Sequence, residues 1–187
     1  LFYIHGFSNL PEPDIFPRAE TLQKMFDENF VKVIPLIWPC DNDKGIIKDY
    51  WDDQKSADAS SFAFARLLEK FMAWRDKNPA GTPSCMKRIN VLSHSMGNRV
   101  LRETLSNWAK YDRNGNIPLI FRNTFLVAAD IVNESLERGK PGKFICQASR
   151  NVSVYYASDD LALRASKVSN LKNKVASRRL GHSGPEN

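Results

Sequence analysis

The chain has 187 residues, 42% hydrophobic, 26% charged and 11% aromatic, the size and balance of one globular domain with a single core, which excludes a disordered chain. No apolar run approaches roughly 18 residues, so no transmembrane segment is expected, and Cys40, Cys85 and Cys146 are too scattered for a disulfide framework or a zinc site, which points to small hydrophobes in a reducing, cytoplasmic setting. The net charge of +6 is uneven, with ten Lys and Arg between Arg138 and Arg179 against Asp159 and Asp160; lacking a nucleic-acid motif or interleaved aromatics, this stretch reads as a solvated basic face, with no nucleic acid expected as partner.

Short apolar runs alternate with helical patterns, the signature of βαβ units and a mostly parallel sheet. Leu1–Ile4 is a strand ending at His5-Gly6-Phe7. A Pro-rich, acidic loop leads to a helix over about Pro17–Asn29, with Ala19, Leu22, Met25 and Phe26 on roughly one face. Val31–Trp38 is a second strand, and its internal Pro35 marks a bulge or an edge position. Pro39–Gln54 lacks a clear period and reads as a loop with a short helical turn. Its acids, Asp41, Asp43, Asp49, Asp52 and Asp53, read as a solvated patch able to act as a lid.

Ser56–Lys77 is the longest helical pattern, its apolar side formed by Phe64, Leu67, Leu68, Phe71, Met72 and Trp74, and Asn78–Pro83 ends it. Arg88–Leu92 is a third strand, followed by Ser93-His94-Ser95-Met96-Gly97 and a helix with Val100, Leu101, Leu105 and Trp108 inward. Asn123–Ala129 is the fourth strand, ending at Asp130. After a basic loop, Val152–Ala157 is the fifth, ending at Ser158-Asp159-Asp160, and a last helix runs from Leu161 towards Lys174. The chain opens without Met inside an apolar run and closes in a loop. The expectation is therefore one domain over 1–187, with strands before it and a further strand after it missing.

The informative segment is Ile89–Leu101, INVLSHSMGNRVL. A strand running into small-x-Ser-x-Gly and out into a helix is the nucleophile-elbow pattern, with Ser93 and Gly97 small so that strand and helix can close on each other. It presents the Ser95 hydroxyl above the sheet and the Met96 N–H, at the helix start, towards a developing oxyanion. Upstream, Gly6 lets the backbone turn towards such a site. The Phe7 N–H is the second oxyanion donor, and His5 orients the loop. An acid is expected at a later strand end, which leaves Asp130, Asp159 and Asp160. The base should follow the acid, and of the three histidines only His182 does. It comes straight after the last helix with no intervening strand, so a histidine beyond Asn187 is the favoured base and His182 the weaker candidate. No HExxH or CxxC pair suggests a metal, and no cofactor is expected.

With FYIHGF near the start, SHSMGNRVL at the elbow, FLVAADI after it, and VYYASDDLALRASK followed by RLGHSGPE, the chain resembles the α/β-hydrolases. More narrowly, it resembles a bacterial, esterase/lipase-like branch described as a domain of unknown function. The resemblance implies a three-layer α/β sandwich, a mostly parallel sheet with helices on both faces, and a catalytic triad. It places the nucleophile at Ser95, favours Asp160 as the acid and puts the base in a Gly-His-Ser segment downstream of RLG…GP. Ser93, where glycine is usual, and the absence of that downstream segment are the departures.

The function expected is hydrolysis of carboxylic esters or related acyl compounds through an acyl-enzyme on Ser95, with a small acyl molecule as partner. A non-catalytic scaffold that binds a partner through its basic C-terminal face is the alternative.

Overall fold

The computed structural model describes residues 1–77, 88–159 and 178–185. Five parallel strands form one sheet: β1 (Phe2–Ile4), β2 (Ile34–Leu36), β3 (Ile89–His94), β4 (Phe121–Val127) and β5 (Ser149–Tyr155), in the spatial order β2-β1-β3-β4-β5. The register pairs Tyr3 with Pro35 and Leu92, Leu92 with Phe125, and Phe125 with Ser153. Pro35 lies on the edge strand of this sheet, where its missing N–H is tolerated.

The order of strands reverses between β1 and β3, and the crevice outside their carboxyl ends is the topological switch point of an open α/β sheet. Both chemically informative segments, His5-Gly6-Phe7 and Ser93–Gly97, lie at this point, because each follows one of those two strands directly.

Helices cover both faces. The π-helical turn Pro11–Ile15 and α1 (Phe16–Lys24) pack on one side, where Tyr3, Ile15 and Ala19 form a small core with Leu22, Val33 and Leu92. On the other lie α2 (Ile46–Asp76) and α3 (Gly97–Asp112), over a larger core that includes Ile4, Trp38, Val91, Met96, Leu105, Trp108 and Leu126. Side chains alternate between the faces along β3, Val91 and Ser93 being buried towards α2 and α3. A 3₁₀ turn (Asn133–Leu136), α4 (Lys143–Ala148) and the short α5 (Leu180–Ser183) complete the described elements. None of the described helices is long and apolar enough to cross a membrane.

All five expected strands and the inward residues Val100, Leu101, Leu105 and Trp108 of α3 are as read, with strand ends shifted by a few residues. The second strand is shorter than expected. The first helix ends at Lys24, leaving Met25 and Phe26 exposed. The basic loop between β4 and β5 contains α4, and the helix expected over Leu161–Lys174 lies outside the described residues.

The main correction concerns α2. It is one helix of 31 residues that begins at Ile46, inside the stretch read as a loop. Its buried line is Asp49, Tyr50, Asp53, Ala57, Ser61, Ala65, Leu68 and Met72, a helical period carried in its first half by polar and small residues. Leu67 and Trp74, expected inward, are exposed. Asp49 and Asp53 are buried while Asp41 and Asp43 are exposed, so only part of the acidic stretch is a solvated patch. Lys44 N–H donates to Asp49 (3.0 Å) and caps the turn before the helix.

Candidate active site

Ser95 stands between the last residue of β3 and the start of α3 with a φ of 51°. A non-glycine residue there is strained by about 1–3 kcal/mol and persists only where its surroundings over-determine it. Here they do. Ser95 N–H donates to Val127 O (2.9 Å), while Ser95 O accepts the N–H groups of Asn98 (3.1 Å) and Asp130 (3.1 Å). The buried Asn98 amide adds Nδ2 donations to Ser93 O (3.1 Å) and Ser95 O (3.0 Å). The turn is therefore tied to β3, to the end of β4 and to the first turn of α3.

Close approach explains the small residues around it. A Cβ on Gly97 would lie 2.5 Å from His5 O and 2.8 Å from Ile4 O, so α3 starts directly against the end of β1. A Cβ on Gly6 would lie 2.9 Å from His94 Nδ1 and 3.0 Å from Ser95 Cβ. The Gly6 backbone thus runs against the serine itself.

The turn His5–Asn9 is held at nearly every peptide. His5 is fully buried and stacked on Trp38 (5.1 Å, 6°). Trp38 N–H donates to His5 Nε2 (3.1 Å), so Nε2 is unprotonated and Nδ1–H donates to Gly6 O (2.9 Å). Trp38 Nε1–H donates to His5 O (2.9 Å). Burial lowers the His5 pKa from its usual value, consistent with this neutral tautomer. With Gly6 C=O pointing at the His5 ring, the trans geometry of that same peptide turns the Phe7 N–H the opposite way. Asn9 Nδ2–H donates to Phe7 O (2.6 Å) and Ser8 N–H donates to Asp53 Oδ2 (3.1 Å). Neither the Phe7 nor the Met96 backbone N–H has a partner among the described residues.

Cys40 approaches the same turn, its Sγ 3.7 Å from Gly6 O. Burial, with the charge of Asp53 second, pushes its thiol up to about 12, so it remains a thiol at neutral pH.

The three carboxylates that could serve as acid are placed differently. Asp130, just past β4, is buried. Its Oδ2 accepts the Tyr50 hydroxyl (2.6 Å), and its Oδ1 lies 3.2 Å from Arg179 Nε. The Arg179 contact is close but outside hydrogen-bond alignment, so it acts through charge. Arg179, counted above with the solvated basic face, is in fact buried. Asp159 is exposed beyond β5, and Asp160 lies outside the described residues.

His182 is on α5, half-buried, with Nδ1 3.1 Å from Ser183 Oγ. This short helix is docked on the sheet's carboxyl edge: Gly181 N–H donates to Ala129 O (2.9 Å), Leu180 N–H to Ile131 O (2.8 Å) and Ala157 N–H to Gly181 O (3.0 Å). His182 thus belongs to the same edge as Ser95. Among the described residues no group of three His, Cys, Asp or Glu is arranged to hold a metal ion.

Sequence reasoning missed Tyr50, Asp53, Asn9, Asn98 and Arg179. The polar line Asp49, Tyr50, Asp53 at helical spacing was the available signal for the first two. The others carry no local signature, because their partners are distant in the chain.

An open parallel sheet whose order reverses beside a strained strand-to-helix serine, with a glycine turn from the neighbouring strand against it, is the α/β-hydrolase fold. All 187 residues match the family described as alpha/beta hydrolase of unknown function (DUF900), and the chain belongs to that family. No curated protein and no solved structure matches it significantly.

Proposed function

We propose that this α/β-hydrolase is a serine hydrolase of carboxylic esters or related acyl compounds, with Ser95 as its nucleophile. The observation that carries the reading is the φ of 51° at Ser95, a strain that helix capping alone gives no reason to keep.

Ser95 Oγ attacks the acyl carbonyl as a histidine accepts its proton. The N–H groups of Phe7 and Met96 donate to the oxyanion at the head of α3. The carbonyl–oxygen bond to the alcohol breaks, and the histidine returns the proton to the departing oxygen. Water, deprotonated by the same histidine, then releases the acid and Ser95. Asp160 orients the histidine. Asp130 is the weaker candidate acid because Tyr50 and Arg179 already occupy its carboxylate. For the base, His182 is the histidine available on the sheet's carboxyl edge, and a Gly-His-Ser segment beyond Asn187 is the alternative.

Fluorophosphonate labelling read by intact mass tests this. A single adduct, lost in Ser95→Ala, is expected. Labelling of this chain that is lost in His182→Ala makes His182 the base, whereas labelling only of a chain extended beyond Asn187 places the base downstream. No adduct on either chain overturns the proposal.

A further inference from the structure

The turn carrying Phe7 is held from inside by its own strand and by Trp38, but one of its ties comes from much further along the chain. Asp53, on the second turn of α2, is 1% exposed. Its Oδ2 accepts Ser8 N–H (3.1 Å) and its Oδ1 accepts Asp41 N–H (2.8 Å). A buried carboxylate facing two backbone donors is costly to place unless both bonds form, so its position is strongly determined. Ser8 itself has a φ of 56°, a second left-handed serine that needs an external hold.

We propose that Asp53 is a positioning residue for the oxyanion site: by fixing the Phe7–Ser8 peptide it sets the direction of the Phe7 N–H towards the reacting carbonyl at Ser95. The geometry links the two peptides in sequence. Ser8 N–H is drawn to Asp53, which sends Phe7 C=O the other way, where it accepts Asn9 Nδ2–H at 2.6 Å. Gly6 C=O is drawn to His5 Nδ1. Phe7 is thereby clamped on both sides, with its N–H the donor left over. The second oxygen of Asp53 joins this turn to the loop after Trp38, so one side chain of α2 gathers two loops at the mouth of the switch point. This inference rests on the serine-hydrolase reading.

The test combines the rate of fluorophosphonate addition at Ser95, hydrogen exchange at the Ser8 amide, and steady-state hydrolysis of p-nitrophenyl acetate. The proteins are the wild type, Asp53→Asn, Asp53→Ala and, as a surface control, Asp52→Asn. In Asp53→Asn the amide nitrogen replaces one acceptor, and in Asp53→Ala both are gone. In both Asp53 variants, per folded molecule, the adduct should form about 10- to 100-fold more slowly. Acetate ester turnover should lose kcat with KM nearly unchanged, because the oxyanion contact exists only in the transition state. The Ser8 amide should exchange faster, and Asp52→Asn should match the wild type. Folded Asp53→Ala that labels at the wild-type rate while its Ser8 amide is freed overturns the inference, as does a rate loss that only tracks the folded fraction. A wild type that labels in no form overturns the hydrolase reading, and the positioning role with it.

Discussion

Arg179 and Asp130 meet at 3.2 Å with side chains 7% and 3% exposed, so a cation from the segment that carries His182 is buried against the residue whose N–H holds Ser95 O. The Tyr50 hydroxyl completes the contact at 2.6 Å, and the Tyr50 ring packs edge-on to Phe7 at 5.6 Å. The elbow, the glycine turn, α2 and the α5 segment are thus joined through one carboxylate.

Removing one partner strands the other charge. Arg179→Met should therefore cost about 3–5 kcal/mol, whereas Arg179→Met combined with Asp130→Leu should recover much of the loss. Urea unfolding of the single and double variants checks this. A double variant as unstable as the sum of the two singles would mean the pair is not the source of the cost.

The strain at Ser95 has a stability signature separate from activity. Ser95→Gly and Ser95→Ala both lose the hydroxyl, yet only glycine is at ease at φ 51°. Ser95→Gly should be more stable than Ser95→Ala by about 1 kcal/mol, a midpoint difference of roughly 2–4 °C. Equal midpoints in thermal denaturation would show that the turn is not strained in solution.

The two glycines beside the serine should fail differently. Gly97→Ala drives a methyl into the carbonyls of His5 and Ile4, both backbone, and should destabilise by about 1–3 kcal/mol or more. Gly6→Ala meets the His94 ring and Ser95 Cβ at 2.9 and 3.0 Å, which displaces the turn from the serine. Its main loss should be in the rate of fluorophosphonate addition, by about 100-fold, with the fold retained by circular dichroism.

His5 makes the protein sensitive to mild acid. Its folded pKa lies below the usual 6.5 because it is buried. Neutral His5 thus contributes stability that is present above about pH 6.5 and is lost as pH falls through the folded value, with a slope of at most about 1.4 kcal/mol per pH unit. Asp53 acts in the opposite sense: burial raises its carboxyl, so its contribution is present below the usual carboxyl range and is lost as pH rises through the folded value. An NMR titration that places His5 at or above 6.5 would contradict this account, and in His5→Asn the slope between pH 5 and 6.5 should flatten.

The strand–elbow–helix from Ile89 to Leu101 and the glycine turn at Gly6 were legible because both are local. The elbow's residue types follow from backbone geometry within five or six positions of the serine, and the Gly6 turn is marked by the strand that runs straight into it. The start of α2 was not legible. Its inward face at Asp49, Tyr50 and Asp53 is polar, and a hydrophobic period is the signal from which a helix is read. Those residues are buried only because loop N–H groups and Asp130 satisfy them.

The sequence by itself therefore determined the strands of a mostly parallel α/β sheet, the serine at a strand-to-helix turn and the small residues that let strand and helix close around it. Tertiary structure alone decided that Asp53 grips Ser8, that Asp130 is taken up by Tyr50 and Arg179, and that α5 sits on the same edge as Ser95. The physical reason is separation along the chain. Asp53 and Ser8 are 45 residues apart, and Tyr50 and Asp130 are 80 apart. Contacts between single polar side chains at such distances leave no period or spacing behind; only the folded sheet brings the partners within hydrogen-bond reach.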